Sequence, residues 1–378
     1  MMVKFAKLAD EATPVRMIWV GAGGMGKNWM SVLSANPHAE LVGVVDLDLS
    51  AARSALVEVG LSHVPVATSV SALAAETGAH AVVNVTVPAA HHPVNVEALF
   101  AGLPVLCEKP AAPTVSQALS LAASAEVSGQ LLMISQSRRY FQTLSAFKTR
   151  ISEVGDVGLM TTEFYKGPHF GGFREDMDHV LLIDMAIHAF DVARYLLGQD
   201  PVAVYCDEFN PSWSWYRVDA AATAVFEMSG GTRYLFNGSW CSGGLETSWN
   251  GNWRVSGSLG SARWDGHNSP TVELVTPEAS VALAVEDAEP EQIAGSLAEF
   301  IDALRTGKVP SGEIHSNVLS LAMVEAAIKS AESRQRVTLE EVLTSAYDHA
   351  VANERNARVR AVLEAWDSPA DALRNGSY

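Results

Sequence analysis

The sequence is poor in cysteine, poor in basic residues and free of long apolar runs. Its three cysteines, Cys107, Cys206 and Cys241, are scattered singly, so we expect no disulfide framework and no C-x-x-C site, which fits a reducing compartment. Lysine and arginine total 26 against 43 acidic residues, and the formal net charge is −17. This composition argues against a nucleic-acid surface and an anionic membrane surface, because both need clustered basic residues.

The start of the chain also lacks the features of an exported protein. Residues 1–10 contain no apolar segment followed by a small-residue cleavage site, and no twin arginine. No stretch approaches the roughly 18 consecutive apolar residues that span a bilayer. We therefore expect a cytoplasmic globular protein, and its 378 residues, 48% of them hydrophobic, favour two domains.

A glycine-rich turn follows the first apolar run. Residues 18–20 lead directly into Gly21-Ala22-Gly23-Gly24-Met25-Gly26, which has the G-x-G-x-x-G spacing of a strand that turns tightly into a helix. The first glycine permits the bend, the second lets a pyrophosphate approach the backbone, and the third lets the helix pack closely on the strand. By itself this loop fits an ordinary strand-to-helix turn equally well.

An aspartate follows where a dinucleotide site needs one. Residues 40–46 are predicted to form a buried strand with an acidic end at Asp46. Asp46 lies about 20 residues beyond the last glycine, where such folds place the carboxylate that binds the ribose hydroxyls. A carboxylate repels a 2′-phosphate, and residues 47–49 offer no arginine to hold one. The pattern therefore favours NAD over NADP as the cofactor. It also favours ribose binding over helix capping as the role of Asp46.

Strand and helix patterns alternate from this point to residue 135. The alternation predicts right-handed crossovers and a doubly wound parallel sheet, in which ligands bind beyond the carboxyl ends of the strands. The side chains expected at those ends are Thr86, Pro88, His92, Glu108 and Lys109. Pro110 restricts the backbone of Lys109, which favours a lysine aimed into the crevice over a solvated one. For His91 and His92, a helix-terminal or loop role and a cofactor contact all stay open.

A second reactive stretch lies in residues 181–198, which we predict to be one helix. Asp184, His188 and Asp191 stand at i, i+4 and i+7 and share one stripe of such a helix. A histidine four residues from an aspartate can be held in one tautomer as a general base. The alternative is a buried Asp–His pair that joins the helix to a sheet.

Taken together, these motifs resemble the family of glucose-fructose oxidoreductase, inositol dehydrogenase and MocA. The resemblance rests on the glycine turn with Asp46, on Glu108-Lys109-Pro110, and on Asp184-x-x-x-His188-x-x-Asp191 ending in residues 195–198. Residues 316–327 are similar to the family's closing helix, so the resemblance extends to about residue 340. It implies that Lys109, Asp184 and His188 are the catalytic group and that NAD contacts the residues already named, including Gly24 and Met25 of the turn.

Two positions depart from the family pattern. Pro88 is followed by Ala89 where relatives often have asparagine, and the glycine-rich approach to the catalytic helix is replaced by residues 178–183, Asp-His-Val-Leu-Leu-Ile. The second change bears on the substrate more than on the chemistry.

The remaining sequence predicts the second domain. Residues 202–285 show mostly strand patterns with glycine turns, which indicates a large, mainly antiparallel open sheet in an α+β domain. Helical patterns follow in residues 291–306 and 315–333. We predict an NAD-binding Rossmann domain in residues 1–137, a substrate-binding and oligomerisation domain in residues 138–340, and a helical extension in residues 341–378. A homodimer or homotetramer through the sheet is expected, and no metal site.

Three functions fit these patterns. The first is hydride transfer between NAD and a hydroxyl carbon of a sugar, sugar derivative or cyclitol. The second is an NAD-dependent glycoside hydrolase, in which transient oxidation, elimination, hydration and re-reduction release an aglycone without net NADH. The third is a non-catalytic regulator, which Lys109 and His188 make the weakest of the three. Lys166, His169 and Arg174 precede the reactive helix in an otherwise acidic chain. They are candidates to bind an anionic substituent on the sugar, and ordinary solvated loop charges fit the pattern equally well.

Overall fold

The computed structural model describes residues 5–8, 14–276 and 290–375. The end of the predicted strand region, residues 277–285, and the last three residues of the extension lie outside this description. Within it, no helix combines the length and the apolar character needed to cross a membrane.

The chain forms two compact units, and neither is one continuous segment. Unit 1 contains residues 1–137, 290–318 and 343–378, and unit 2 contains residues 138–289 and 319–342. Residues 290–318 thus join the first unit, although they follow the strands of the second in the sequence. Chain order does not reveal which core a later helix covers, so this assignment differs from the three consecutive segments expected above.

Unit 1 begins as the alternation predicts. Its elements are β1 (Val15–Val20), α1 (Gly24–Ala35), β2 (Ala39–Val45), α2 (Leu49–Glu58), β3 (Val66–Ala67), α3 (Val70–Thr77), β4 (Ala81–Asn84), α4 (Pro88–Phe100), β5 (Val105–Glu108), α5 (Val115–Ser128) and β6 (Leu132–Ser135). The strands are parallel in the order β3-β2-β1-β4-β5-β6. This is the doubly wound Rossmann arrangement, and the predicted fold class is confirmed. The order reverses between β1 and β4, which is where such sheets bind ligands.

Local sequence signals set several helix ends in this unit. The Asp48 side chain accepts hydrogen bonds from two backbone N–H groups at the start of α2, and Thr114 accepts one from Gln117 N at 3.3 Å at the start of α5. Helix α5 ends at Gly129, whose φ of 65° is left-handed. These residues satisfy donors that a helix start leaves unpaired, and a left-handed end favours glycine. Thr114 is thus the residue that caps the start of α5.

Unit 2 is built on one large sheet. After a 3-10 turn (Ser137–Tyr140) come α6 (Gln142–Glu153), β7 (Val157–Tyr165), α7 (Phe173–Asp176), a π-helical segment (Leu181–Ala186), α8 (Ile187–Leu197), β8 (Pro201–Phe209), β9 (Ala221–Met228), β10 (Arg233–Ser239), β11 (Asn252–Gly257), β12 (Gly260–Trp264) and β13 (Thr271–Leu274). The last part of the chain contains α9 (Gln292–Thr306), α10 (Ile314–Ser333), β14 (Val337–Thr338), α11 (Leu339–Asn353), α12 (Ala357–Ala365) and α13 (Pro369–Asn375). Of these, β14 belongs to unit 2, whereas α9, α12 and α13 belong to unit 1, and α10 and α11 each cross a boundary between the units.

Within the residues that the structure describes, the sheet of unit 2 has eight strands in the order β13-β12-β11-β7-β10-β9-β8-β14. Only the β7–β10 pair is parallel within it, so the predicted mainly antiparallel sheet is confirmed. Alternate residues such as Phe226, Tyr234 and Phe236 are buried on one face. On the other face, Tyr205 is half exposed, as alternation along a strand with one covered face requires.

The C-terminal extension packs on unit 1 instead of projecting into solvent. Glu354 accepts a hydrogen bond from Ser120 Oγ of α5 at 2.6 Å, and Arg358 donates to the Val127 carbonyl at 3.2 Å. Trp366 Nε1 donates to Glu126 at 3.2 Å. Residues 354–366 therefore cover one side of α5 in the Rossmann unit, and the sequence analysis assigns no function to this contact.

The same glutamate belongs to a buried ion cluster. His315 is fully buried, with Nδ1 2.6 Å from Glu313 Oε1 and Nε2 3.0 Å from Glu126 Oε1. Burial lowers the pKa of His315, but the charge of Glu313 and the hydrogen bonds to both carboxylates outweigh it and raise this pKa to about 9. The cluster joins α5 to the start of α10 through a charged imidazolium.

This cluster predicts a specific pH dependence of stability. Because the pKa of His315 is about 9 in the folded state and roughly 6.5 when unfolded, its contribution is complete below pH 6.5 and is lost as pH rises towards 9. We expect the free energy of unfolding of wild type to fall by about 1–3 kcal/mol more over this range than that of His315→Gln. Urea titrations at about pH 6.5 and about pH 9 measure the free energy of unfolding of both proteins. An equal change in this free energy with pH for the two proteins would contradict the prediction.

Candidate active site

The glycine turn between β1 and α1 has no room for side chains at two positions. A Cβ added to Gly26 would lie 2.3 Å from the Gly21 carbonyl oxygen, and one added to Gly21 would lie 2.8 Å from the Val85 carbonyl oxygen. Gly21 also has a φ of 99°, which L-residues rarely adopt. A Cβ at Gly23, in contrast, would meet no atom within 4 Å. The turn is thus closed on its inner side and open at Gly23.

The surroundings of the turn fit a dinucleotide. Helix α1 begins at Gly24 without a side-chain cap and without an acidic residue in its first turn, so its first N–H groups remain suitable for a phosphate. Asp46, just after β2, accepts hydrogen bonds from Ala22 N at 2.7 Å and from Asp48 N at 2.9 Å. Each carboxylate oxygen has a second lone pair, so Asp46 can still accept from a ribose hydroxyl. The residues present therefore fit NAD.

His91 joins the loops that follow β4 and β5, although the sequence offered no reason to prefer it over His92 for a role at this site. His91 Nδ1 lies 2.6 Å from the Pro110 carbonyl oxygen and Nε2 lies 3.0 Å from the Thr86 carbonyl oxygen. Burial lowers the pKa of His91. The neighbouring His92, predicted as a cofactor contact, places Nε2 3.1 Å from Ser120 Oγ of α5.

Other predicted residues do lie at the carboxyl edge of the sheet. Thr86 donates through Oγ1 to Asn84 Oδ1 at 2.7 Å, and Pro88 is the first residue of α4. Glu108 accepts hydrogen bonds from Trp29 Nε1 at 2.7 Å and from Lys109 N at 3.1 Å. Burial raises the pKa of the Glu108 carboxyl. Lys109 follows β5 directly and is half-buried, so this edge brings together Thr86, Pro88, Glu108 and Lys109.

In unit 2 the reactive stretch is not one regular helix. Residues 181–186 are π-helical, with i→i+5 hydrogen bonds, and the α-helix begins at Ile187; such segments often occur at functional sites. Asp184 belongs to the π-helical part and forms an ion pair with Arg174, with Nε 2.8 Å from Oδ2. His188 lies in the first turn of α8. The predicted continuous helix over residues 181–198 is therefore corrected.

The third member of the stripe, Asp191, has a different environment from Asp184. It is buried and accepts hydrogen bonds from Arg139 Nε at 2.8 Å and Nη2 at 2.6 Å, and from Ser320 Oγ at 2.7 Å. Asp184 lies in the π-helical segment, whereas Asp191 lies in α8. Asp191 anchors α8, while Asp184 and His188 are both partly exposed.

His188 lines a small cavity within unit 2. The cavity measures about 20 Å³, roughly the space of one water molecule. Its polar lining comes from Arg138, Thr162, His188 and Asn250, and the rest is apolar and aromatic: Leu144, Phe164, Met185, Ala189, Val192, Phe236, Trp249, Trp253 and Trp264. A titratable histidine in such surroundings is a candidate general base.

The segment before the π-helix contains a residue in an unusual conformation. His179 has a φ of 52°, a region in which a non-glycine residue carries strain. Its Nδ1 lies 2.5 Å from Glu208 Oε2, and the side chain of Glu208 is almost completely buried. The hydrogen bond to Glu208 raises the pKa of His179. This pair holds the backbone where the family pattern has glycine.

The predicted basic loop is largely neutralised by acidic partners. Lys166 Nζ lies 2.8 Å from Glu246 Oε2, and Arg174 is paired with Asp184. His169 stacks on Trp215, with ring centroids 3.8 Å apart. The three side chains remain near the reactive segment in sequence, but the two permanent cations already have carboxylate partners.

The fold and the glycine turn together define an NAD-binding oxidoreductase with a Rossmann unit. Residues 15–136 match the family model described as "Oxidoreductase family, NAD-binding Rossmann fold", and residues 150–263 match the GFO/IDH/MocA C-terminal domain. The chain belongs to the Gfo/Idh/MocA family of oxidoreductases.

Individual relatives extend over nearly the whole chain. The y4oX protein of Sinorhizobium fredii is 26% identical over 87% of this chain and 97% of its own length. Inositol 2-dehydrogenase of Rhizobium meliloti is 25% identical over 86% and 99%. An oxidoreductase from Agrobacterium radiobacter, crystallised with NAD⁺, L-tartaric acid and magnesium, superposes with a TM-score of 0.76 at 21% identity, covering 88% of this chain and all of that one.

The open side of the glycine turn predicts how alanine substitutions act. Gly23→Ala adds a methyl group where the protein leaves space and where a pyrophosphate approaches the backbone. We expect normal folding and NADH binding weakened by about tenfold or more. Gly26→Ala is the matched comparison, because its Cβ meets the backbone and should lower the thermal midpoint. Thermal unfolding and fluorescence titration with NADH measure both, and unchanged NADH affinity in Gly23→Ala would refute the placement.

Proposed function

We propose that the protein transfers a hydride between a hydroxyl-bearing carbon of a sugar, sugar derivative or cyclitol and NAD. The observation that carries this proposal is the position of His188, which lines a largely aromatic cavity. His188 stands four residues after Asp184, in a chain that also has an NAD-binding unit. The inositol 2-dehydrogenases among its relatives support a polyol substrate.

The proposed roles follow from the chemistry of each side chain. His188 accepts the hydroxyl proton, and Asp184 keeps its imidazole in the tautomer that can accept it. The ammonium of Lys109 stabilises the alkoxide that develops on the same oxygen, a charge absent from the neutral alcohol. Bound NAD supplies the hydride acceptor. These three residues are the proposed catalytic group.

The cofactor and substrate contacts are proposals as well. Helix α1 and its turn would hold the pyrophosphate, and the carboxyl edge of the sheet would hold the ribose and nicotinamide. The proposed cofactor residues are Gly21, Gly23, Gly24, Met25, Gly26, Asp46, Thr86, Pro88, His92, Glu108 and Lys109. The proposed substrate residues are Lys109, Lys166, His169, Arg174, Asp184 and His188.

A second candidate function is redox-neutral cleavage of a glycoside. The observation that favours it is exposed aromatic surface near the cavity of His188: Trp249 is 44% exposed and Phe170 51% exposed, with ring centroids 6.4 Å apart. Aromatic surface of this kind can stack on a sugar ring or on a flat aglycone. Both candidates use the same catalytic group and differ in whether NADH accumulates.

We also propose self-association through the uncovered face of the large sheet, and a cytoplasmic location, which three buried free cysteines support. On this face Tyr205, Val225 and Leu235 lie side by side on β8, β9 and β10. A groove of about 380 Å³ on the same face is lined by residues including Phe209 and Trp213. An apolar row of this kind is suited to pairing with a second copy.

Activity assays with a panel of polyols and glycosides test the reaction. We expect Lys109→Ala and His188→Ala to lower kcat by about 10²-fold or more, because each removes a group that acts in the transition state. Exposed Lys308→Ala and His63→Ala are the matched controls and should retain wild-type rates. Parallel measurement of NADH and of 4-nitrophenol released from aryl glycosides separates the two functions. Near-normal turnover in both catalytic variants would exclude the proposed group.

Sedimentation velocity tests the proposed assembly. Wild type should sediment as a dimer or tetramer, and Leu235→Glu should shift it towards the monomer because a charge then enters the apolar row. Arg355→Gln, an exposed change in unit 1, is the control. A wild-type monomer at tens of micromolar would rule the assembly out.

A further inference from the structure

Two adjacent arginines begin unit 2, and their partners differ in charge. Arg139 forms a buried, two-pronged ion pair with Asp191, as described above. Arg138 Nη1 donates instead to Asn250 Oδ1, the oxygen of a neutral amide. Among residues 14–276 and 290–375, this amide is the hydrogen-bond partner of the Arg138 side chain, and no carboxylate there forms an ion pair with it.

Asn250 is fixed in the orientation that faces the arginine. Its Nδ2 donates to the Gly266 carbonyl oxygen at 2.7 Å, and its backbone N–H donates to Ser248 Oγ at 3.2 Å. The amide therefore presents its oxygen to Arg138 and cannot supply a negative charge. Asn250 therefore holds the Arg138 side chain in place without neutralising its charge.

Arg138 lines the same cavity as His188. The aromatic side chains of Trp249, Trp253 and Trp264 and the apolar side chain of Met185 form much of the remaining wall. Burial alone lowers the pKa of Arg138 to about 10. A cation at this position is costly without a counter-charge, and the volume of the cavity suits one oxygen atom of a ligand.

The loop before the reactive helix is a weaker anion site than this cavity. Lys166 is paired with Glu246, and Arg174 with Asp184, so an anion there would have to displace or repel a carboxylate. Arg138 presents a desolvated positive charge with no such competitor in the described chain. Guanidinium groups bind carboxylates with planar, directional hydrogen bonds.

We propose that Arg138 is the specificity-determining residue for a substrate that carries a carboxylate, such as a uronic acid, and that one carboxylate oxygen enters the cavity shared by Arg138, Asn250 and His188. This inference rests on the proposed sugar-dehydrogenase function and narrows its substrate class. It places the acidic group of the substrate beside the proposed general base and assigns Asn250 the role of orienting the arginine.

The test compares a charged and a neutral sugar of the same stereochemistry. The ratio of kcat/KM for glucuronate to that for glucose, and for galacturonate to galactose, is measured in wild type, Arg138→Gln and Arg138→Lys. We expect a wild-type ratio above one for the preferred pair, a fall of about tenfold or more in Arg138→Gln, and partial retention in Arg138→Lys. Arg174→Gln reports on the loop and should leave most of the ratio intact, and Arg355→Gln should leave all of it.

Several outcomes would overturn the proposal. A wild-type ratio at or below one for both pairs, or an unchanged ratio in Arg138→Gln, excludes a carboxylate at Arg138, and a larger loss in Arg174→Gln moves the site to the loop. Thermal unfolding checks each variant, and Arg138→Lys carries the test if Arg138→Gln does not fold. Calorimetric titration of glucuronate and glucose into the NADH-saturated protein separates two failures: equal binding refutes the carboxylate site, whereas selective glucuronate binding without turnover refutes the proposed reaction.

Discussion

The cofactor site of unit 1 depends on close backbone packing within the turn between β1 and α1. The chain bends so tightly after β1 that a side chain at Gly26 would collide with the carbonyl of Gly21, and one at Gly21 with that of Val85. Helix α1 therefore begins at the very end of the strand. Its first N–H groups lie at the edge where the strand order reverses between β1 and β4. The positive end of the helix therefore stabilises the phosphates of an anionic cofactor bound there.

Unit 2 depends on the buried pairing of Asp191 with Arg139. Two short hydrogen bonds and the Ser320 hydroxyl hold one side of α8, and the preceding turn is wound as a π-helix. One stretch of sequence thus contains an anchor and a reactive pair. The anchor needs burial and a full set of partners, whereas Asp184 and His188 need partial exposure, and the change in helical winding allows both.

Pattern and spacing predicted much of this arrangement. Alternating strands and helices indicated the parallel sheet, and strand patterns with glycine turns indicated the antiparallel one, because both depend on local periodicity. The same periodicity did not predict the π-helical segment at Asp184. A change from i→i+4 to i→i+5 hydrogen bonding over six residues leaves no recognisable pattern of residue types. It also could not weigh His91 against His92, because the choice depends on which ring reaches the Thr86 and Pro110 carbonyls.

The sequence by itself determined that this chain has a dinucleotide turn, an acidic ribose-binding position and an Asp-x-x-x-His stretch, since each depends on residue types a few positions apart. Only the tertiary structure decided which charges are neutralised. Arg138 and Arg139 are neighbours of the same type, yet one meets Asp191 and the other an amide. Residues 290–318 and the C-terminal extension likewise joined unit 1. Contacts between distant segments set both results, and local patterns do not encode them.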